Sequence, residues 1–107
     1  MFGSLKKLFG GEEKEEKIIA APVSGTAIPM GQVSDPTFSQ EILGKGTAVI
    51  PSDGRVVAPA DGLVTMVFDT KHAISMQTDN GAELIIHIGL DTVQLKGQYF
   101  EAHVAAG

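Results

Sequence analysis

The sequence contains no cysteine. That excludes disulfide scaffolds, thiol nucleophiles and cysteine-based zinc or iron–sulfur sites. Positive charge is scarce: eight Lys and Arg stand against thirteen Asp and Glu, a formal net charge of -5. This argues against a general nucleic-acid binder. No apolar run approaches the roughly 18–20 residues that cross a bilayer. What is present is one domain's worth of chain, 107 residues, 43% hydrophobic and 20% charged. That composition is too apolar for a disordered chain. Thirteen Gly and five Pro point to short elements separated by many turns.

Residues 1–17 differ from the rest. At about 100° per residue, Phe2, Leu5, Leu8 and Phe9 share one helical face, with Lys7 away from it. The stretch reads either as a short basic amphipathic helix for an anionic membrane surface or as a frayed terminus. Gly10 and Gly11 end the pattern, and Glu12 to Lys17 form a charged linker. The segment holds four Lys and four Glu, so the whole net charge of -5 belongs to residues 18–107.

From Ile18 the pattern is that of an all-β chain. Apolar, often β-branched stretches recur at 18–20, 26–28, 47–50, 56–57, 63–68, 73–76, 84–88 and 92–93. Turn residues separate them, a pattern that predicts a sandwich or barrel. Phe38 to Leu43 is the one expected helical turn, with Ser34-Asp35-Pro36 as its start and Gly44 as its stop. An internal echo runs through the turns: Ala21-Pro22-Val23-Ser24-Gly25 is matched by Ala58-Pro59-Ala60-Asp61-Gly62. Pro fixes φ and Gly tolerates unusual backbone, so both segments predict the same tight reversal and two similar hairpins.

Three histidines are present, His72, His87 and His103. Strand alternation in Glu83 to Ile88 puts Leu84, Ile86 and Ile88 on one face, and Ile85 and His87 on the other. If the first face is core, His87 stands on a partly apolar outer surface. Residues 63–68 and 73–76 read as a hairpin, with 84–88 beside its second strand. Such neighbours bring His72 towards His87, fifteen residues later. His103 lies in an Ala-rich tail and reads as solvated. A His pair alone leaves three chemistries open: zinc binding, acid–base work, or one imidazole as nucleophile beside a charge stabiliser.

The string His87-Ile-Gly-Leu-Asp-Thr-Val-Gln-Leu-Lys-Gly97 resembles the active-site signature of the glucose-family enzyme IIA of the bacterial phosphoenolpyruvate-dependent sugar phosphotransferase system. Every position of that pattern is met. His72, after Thr70 and before Ala73, falls where the family has its second active-site histidine. The Ala-Pro-x-x-Gly turns, the 38–46 segment and the amphipathic start are also similar.

The resemblance implies a flattened antiparallel β-barrel or sandwich and a phosphoryl relay with no required cofactor. In it, phospho-HPr donates to Nε2 of His87, which passes the group to a Cys of the enzyme IIB domain of a sugar permease. The carbonyl of Gly89 would hold Nδ1–H of His87. His72 would bond the phosphoryl oxygens, and the Thr70 hydroxyl would orient the pair. Phe38, Ile42, Phe68 and Ile85 would form an apolar rim for the carrier, with Asp35 and Asp91 meeting its basic residues. Ile85 departs from the family, which often has an aromatic there. The His72–His87 pair also offers zinc two imidazole ligands. The location implied is cytoplasmic, with residues 1–9 touching the inner membrane face.

A swinging-arm carrier of lipoyl or biotinyl type is the competing reading. Its modifiable lysine would be Lys71 in Asp69-Thr70-Lys71, and no Met-Lys pair occurs. A β-sandwich zinc peptidase is a third, and its His-x-His is absent. The expected organisation is a terminal segment at 1–17 and an enzyme IIA domain at 18–107. The family continues beyond Gly107, so closing strands are expected to be missing, with an open sheet edge as the consequence.

Overall fold

The computed structural model describes residues 18–107. The amphipathic segment and charged linker expected at 1–17 lie outside them. Five strands form two antiparallel sheets: β1 (Gly25–Pro29) pairs with β2 (Thr47–Pro51), and β4 (Ala73–Thr78) lies between β3 (Gly62–Val67) and β5 (Glu83–His87). One helical turn, α1 (Pro36–Ser39), and two 3-10 turns, Met30–Gln32 and Thr92–Leu95, complete the described elements. The architecture is the expected all-β antiparallel one.

Both Ala-Pro-x-x-Gly segments play the same part. Gly25 opens β1 opposite Pro51, the last residue of β2, and Gly62 opens β3 opposite Thr78, the last residue of β4. Just outside each Gly a further bond closes the pair: Ser52 N–H to the Ser24 carbonyl at 2.8 Å, Asp79 N–H to the Asp61 carbonyl at 2.9 Å. The glycines are required by close approach. A Cβ on Gly25 would lie 2.1 Å from the Ile50 carbonyl oxygen, and one on Gly62 2.2 Å from that of Gln77.

Three expected strand stretches differ. Residues 18–20 and 56–57 are not strands; they bond across to the opposite Pro turn, Ala20 N–H to the Pro59 carbonyl and Val57 N–H to that of Pro22. Residues 92–93 lie in a 3-10 turn instead, because Asp91 in the left-handed region (φ 55°) turns the chain off the strand direction. The helical turn begins earlier than Phe38 and ends sooner than Leu43. Asp35 accepts from the Thr37 N–H at 2.9 Å and Pro36 takes the first helical position, which fixes the start. Glu41, at φ 55°, ends the regular spiral.

One face of the β3–β5 sheet carries a row of inward apolar side chains, while the fully buried Ala73 lies on the other, opposite His87. Met76 is buried and is flanked in register by Val64 and Leu84; Ile74 is flanked by Val67 and Ile86. Leu84 and Ile86 therefore face inward, as alternation predicts. The opposite face carries Leu63, Met66 and Ile85, each 43–50% exposed. At the turn between β4 and β5, the buried Thr78 accepts from the Ala82 N–H at 2.9 Å through its hydroxyl and donates its own N–H to the Ala82 carbonyl at 2.8 Å. Closing the hairpin at this point sets the register that brings Ala73 opposite His87. The outer edge of β3 receives Gly107, whose N–H donates to the Val64 carbonyl at 2.9 Å.

Candidate functional site

The two histidines stand where strands end. His72 immediately precedes β4, and His87 is the last residue of β5. The Ile88 N–H donates to the His72 carbonyl at 2.7 Å, so the ladder runs one rung past Ala73 and His87. In a regular ladder that rung would send the His72 side chain to the face opposite His87. The rings nevertheless meet edge to face, centroids 5.0 Å apart at 83°. Lys71 at φ 59° and Gly89 at φ 77° take the chain out of the pleat on either side of this rung.

His72 is 5% exposed. Its Nδ1 shares a 2.5 Å hydrogen bond with the Thr70 hydroxyl, and its ring meets Phe68 edge-on at 5.4 Å. Thr70 reaches it because residues 68–71 form a tight turn, closed by the Lys71 N–H donating to the Phe68 carbonyl at 2.7 Å. A buried imidazole with one nitrogen engaged by a hydroxyl is held in one orientation. With the hydroxyl donating, the proton sits on Nε2, which faces away from Thr70.

His87 is partly buried, with the Phe38 ring against it at 4.7 Å. Burial pushes its pKa below the ordinary 6.5, the Gly89 backbone pulls it up, neighbouring His72 pushes it down, and Asp35 pulls it up. An upward pull from a backbone group is the sign of a carbonyl facing an imidazole N–H. The net effect keeps His87 neutral, with a nitrogen lone pair, below the pH at which a free imidazole protonates.

Of the residues singled out in the sequence, the structure brings together His72, His87, Thr70, Gly89, Phe38 and Phe68. Ile85 lies two residues before His87 on the same face of β5 and is 43% exposed. Asp35 caps α1 and is close enough for its charge to act on His87. Ile42 is 66% exposed in the turn after α1, and Asp91 is exposed at the start of the last 3-10 turn. His103 is exposed, 3.6 Å from the Glu101 carboxylate, away from the pair. One contributor has no signal in residue type alone: Thr92, whose hydroxyl donates to the Ile88 carbonyl behind His87.

Among the described residues no three His, Cys, Asp or Glu are grouped to hold a metal. The His pair alone offers two nitrogens, one fewer than the three protein ligands of catalytic zinc sites. What the site presents is a partly buried imidazole, His87, edge to face with a buried one, His72, that is hydrogen-bonded to Thr70.

Comparison with known proteins identifies the family. The family model described as phosphoenolpyruvate-dependent sugar phosphotransferase system, EIIA 1, matches residues 17–107. The PTS system glucose-specific EIIA component of Oceanobacillus iheyensis is 50% identical over 107 residues, covering 100% of this chain and 64% of its own length. The glucosamine-specific EIICBA component of Bacillus subtilis is 50% identical over 86 residues, 80% of this chain and 14% of that protein. Among solved structures, glucose permease IIA from Mycoplasma capricolum superposes with a TM-score of 0.82 at 40% identity, covering 87% of this chain and 60% of the other. The chain thus spans less than two thirds of the length of the glucose-type relatives it matches. Matched along residues 17–107 by the family model, and in fold by a solved relative, the chain belongs to the EIIA 1 family of the phosphoenolpyruvate-dependent sugar phosphotransferase system.

Proposed function

We propose that this chain is a phosphoryl carrier, taking its group from phospho-HPr onto His87 and passing it to a Cys of the enzyme IIB domain of a glucose-type permease. The observation that carries this reading is the edge-to-face pair of His72 and His87, 5.0 Å apart, one neutral and partly buried, the other buried and hydrogen-bonded.

The Nε2 lone pair of His87 attacks the phosphorus of the donor's phosphohistidine. The new P–N bond forms as the donor's P–N bond breaks, and the donor imidazole leaves with its electron pair. In the second transfer a Cys thiolate attacks, a P–S bond forms, and His87 leaves as neutral imidazole. Such reactions demand little covalent work from the protein, so alignment and charge stabilisation dominate. The Gly89 carbonyl holds the other ring nitrogen as N–H, which keeps the attacking lone pair on Nε2. His72, its Nδ1 engaged by Thr70, directs Nε2–H at the phosphoryl oxygens and spreads their charge.

In this reading Phe38, Phe68, Ile42 and Ile85 form the apolar contact surface for the carrier, and Asp35 and Asp91 its acidic fringe. An apolar patch with an acidic fringe suits a carrier with a basic face, and the net charge of -5 favours the encounter. The relay runs in the cytoplasm, and no cofactor takes part. Among the described residues no helix is long and apolar enough to cross a membrane. The EIIA family match favours this relay over a swinging arm on Lys71.

The test is phosphorylation by phosphoenolpyruvate, enzyme I and HPr, followed by mapping of acid-labile phosphate. Label on His87 is expected. Label on any other residue of a well-folded sample overturns the assignment.

A further inference from the structure

We infer that Thr92 is a positioning residue for His87: its hydroxyl and its methyl together fix the Ile88–Gly89 backbone whose carbonyl faces the His87 ring. The functional consequence rests on the relay reading; the positioning itself does not.

The peptide after His87 is held from both sides. The Ile88 N–H donates to the His72 carbonyl at 2.7 Å, and the Ile88 carbonyl accepts from the Thr92 hydroxyl. A hydroxyl returning to a carbonyl four residues earlier is a local bond open to Ser and Thr. Here it needs the reversal at Asp91 (φ 55°), which brings Thr92 back beneath residue 88. The methyl completes the clamp. A Cβ placed on Gly89 would lie 2.5 Å from Thr92 Cγ2, so the methyl fills the space a side chain would take at residue 89. Gly89 itself sits at φ 77°, where glycine is at ease.

With Ile88 bonded at both its N–H and its carbonyl, and Gly89 blocked on one side, the direction of the Gly89 carbonyl is set. That carbonyl acts on the His87 ring in the sense of an acceptor. A neutral histidine has two tautomers, and the one present follows from what its second nitrogen bonds. Thr92 touches neither the ring nor the reacting group; it acts through the backbone.

Thr92→Val keeps the methyl and removes the hydroxyl, whereas Thr92→Ser keeps the hydroxyl. The tautomer of His87 is read by long-range proton–nitrogen NMR correlation on the full chain, without any phosphoryl donor. Thr92→Val is expected to convert one dominant His87 tautomer into a mixture while Thr92→Ser preserves it. Phosphate acceptance by Thr92→Val should fall by on the order of tenfold to a hundredfold, the scale of a misaligned reacting group. An unchanged tautomer in folded Thr92→Val overturns the inference. If that variant does not fold, the unsubstituted chain decides: a nuclear Overhauser contact between the Thr92 methyl and the Gly89 α-protons is required, and its absence overturns the inference. A tautomer that responds as expected, in a chain that never takes phosphate on His87, supports the positioning and refutes the relay.

Discussion

The carbonyls of Pro22 and Pro59 occupy equivalent places in a reciprocal exchange. Pro22 accepts from the Val57 N–H at 2.7 Å, and Pro59 accepts from the Ala20 N–H at 2.8 Å. Each donor stands two residues before the other proline. A repeated sequence segment has thus become a repeated contact, with each copy bonding the other. The glycine closing each copy makes an equivalent approach to its partner strand. Gly25→Ala and Gly62→Ala are therefore expected to have similar effects, each costing about 1–3 kcal/mol, because the obstructing atoms are backbone oxygens that cannot swing aside. Urea unfolding of the two variants checks this. A midpoint unchanged in either would show that the strands part at no cost.

His87 titrates below its ordinary 6.5, first because of burial. NMR titration should place its midpoint below that ordinary value. The unfolded chain binds its proton near 6.5, while the folded chain resists it to lower pH. Within that window the unfolded state holds more protons, so this group lowers stability as pH falls from 6.5 towards the folded value. Above 6.5 it has no effect. Stability measured from pH 8 to 5 checks the sign.

Asp35→Asn isolates one contributor to that titration. Asn caps a helix about as well as Asp, so α1 should persist. The negative charge that pulls the His87 pKa up is gone, and the midpoint should move lower still. A rise after this substitution would contradict the arrangement described.

Thr70→Val removes the hydroxyl partner of His72 Nδ1. The net stability loss should be about 0.5–1.5 kcal/mol, with a larger effect on phosphoryl transfer because the ring loses its fixed tautomer. Thr70→Ser should restore transfer. If Val and Ser behave alike, the hydroxyl does not orient the ring.

His72→Gln separates the two half-reactions. Gln keeps an N–H donor but not the imidazole, and acceptance from HPr should survive better than onward transfer to enzyme IIB. Single-turnover rates for each step measure this. Equal loss in both steps would remove His72 from its proposed role.

The fold is legible where chemistry is local. Pro22, Pro59, Gly25 and Gly62 announce their turns because proline restricts φ and glycine alone permits the approach. Alternation in Glu83 to Ile88 identifies the buried face, since a strand has only two. Asp35 and Pro36 mark a helix start, but the apolar spacing of Phe38 and Ile42 places the helix too late, because it reports the buried side rather than the cap. Residues 92–93 look like a strand through β-branching; the left-handed Asp91, invisible to propensity, makes them a 3-10 turn. The His pair emerges from resemblance of the 87–97 string. Spacing places the two residues on neighbouring strands, and regular pleating would put their rings on opposite faces. The rings meet beside two departures from regular strand backbone, at Lys71 and Gly89.

The bond from the Ile88 N–H to the His72 carbonyl gives the pair a lifetime as well as a geometry. The two backbones cannot part while that rung is closed, so bringing the imidazoles side by side is completed during folding rather than when a partner arrives. The rung is also terminal, and sheet ends open before sheet centres do. Exchange of the Ile88 amide with solvent deuterium therefore reports how often the site comes undone. Its protection, compared with that of amides in the middle of β4, measures the fraction of time in which two histidines distant in sequence act as one group.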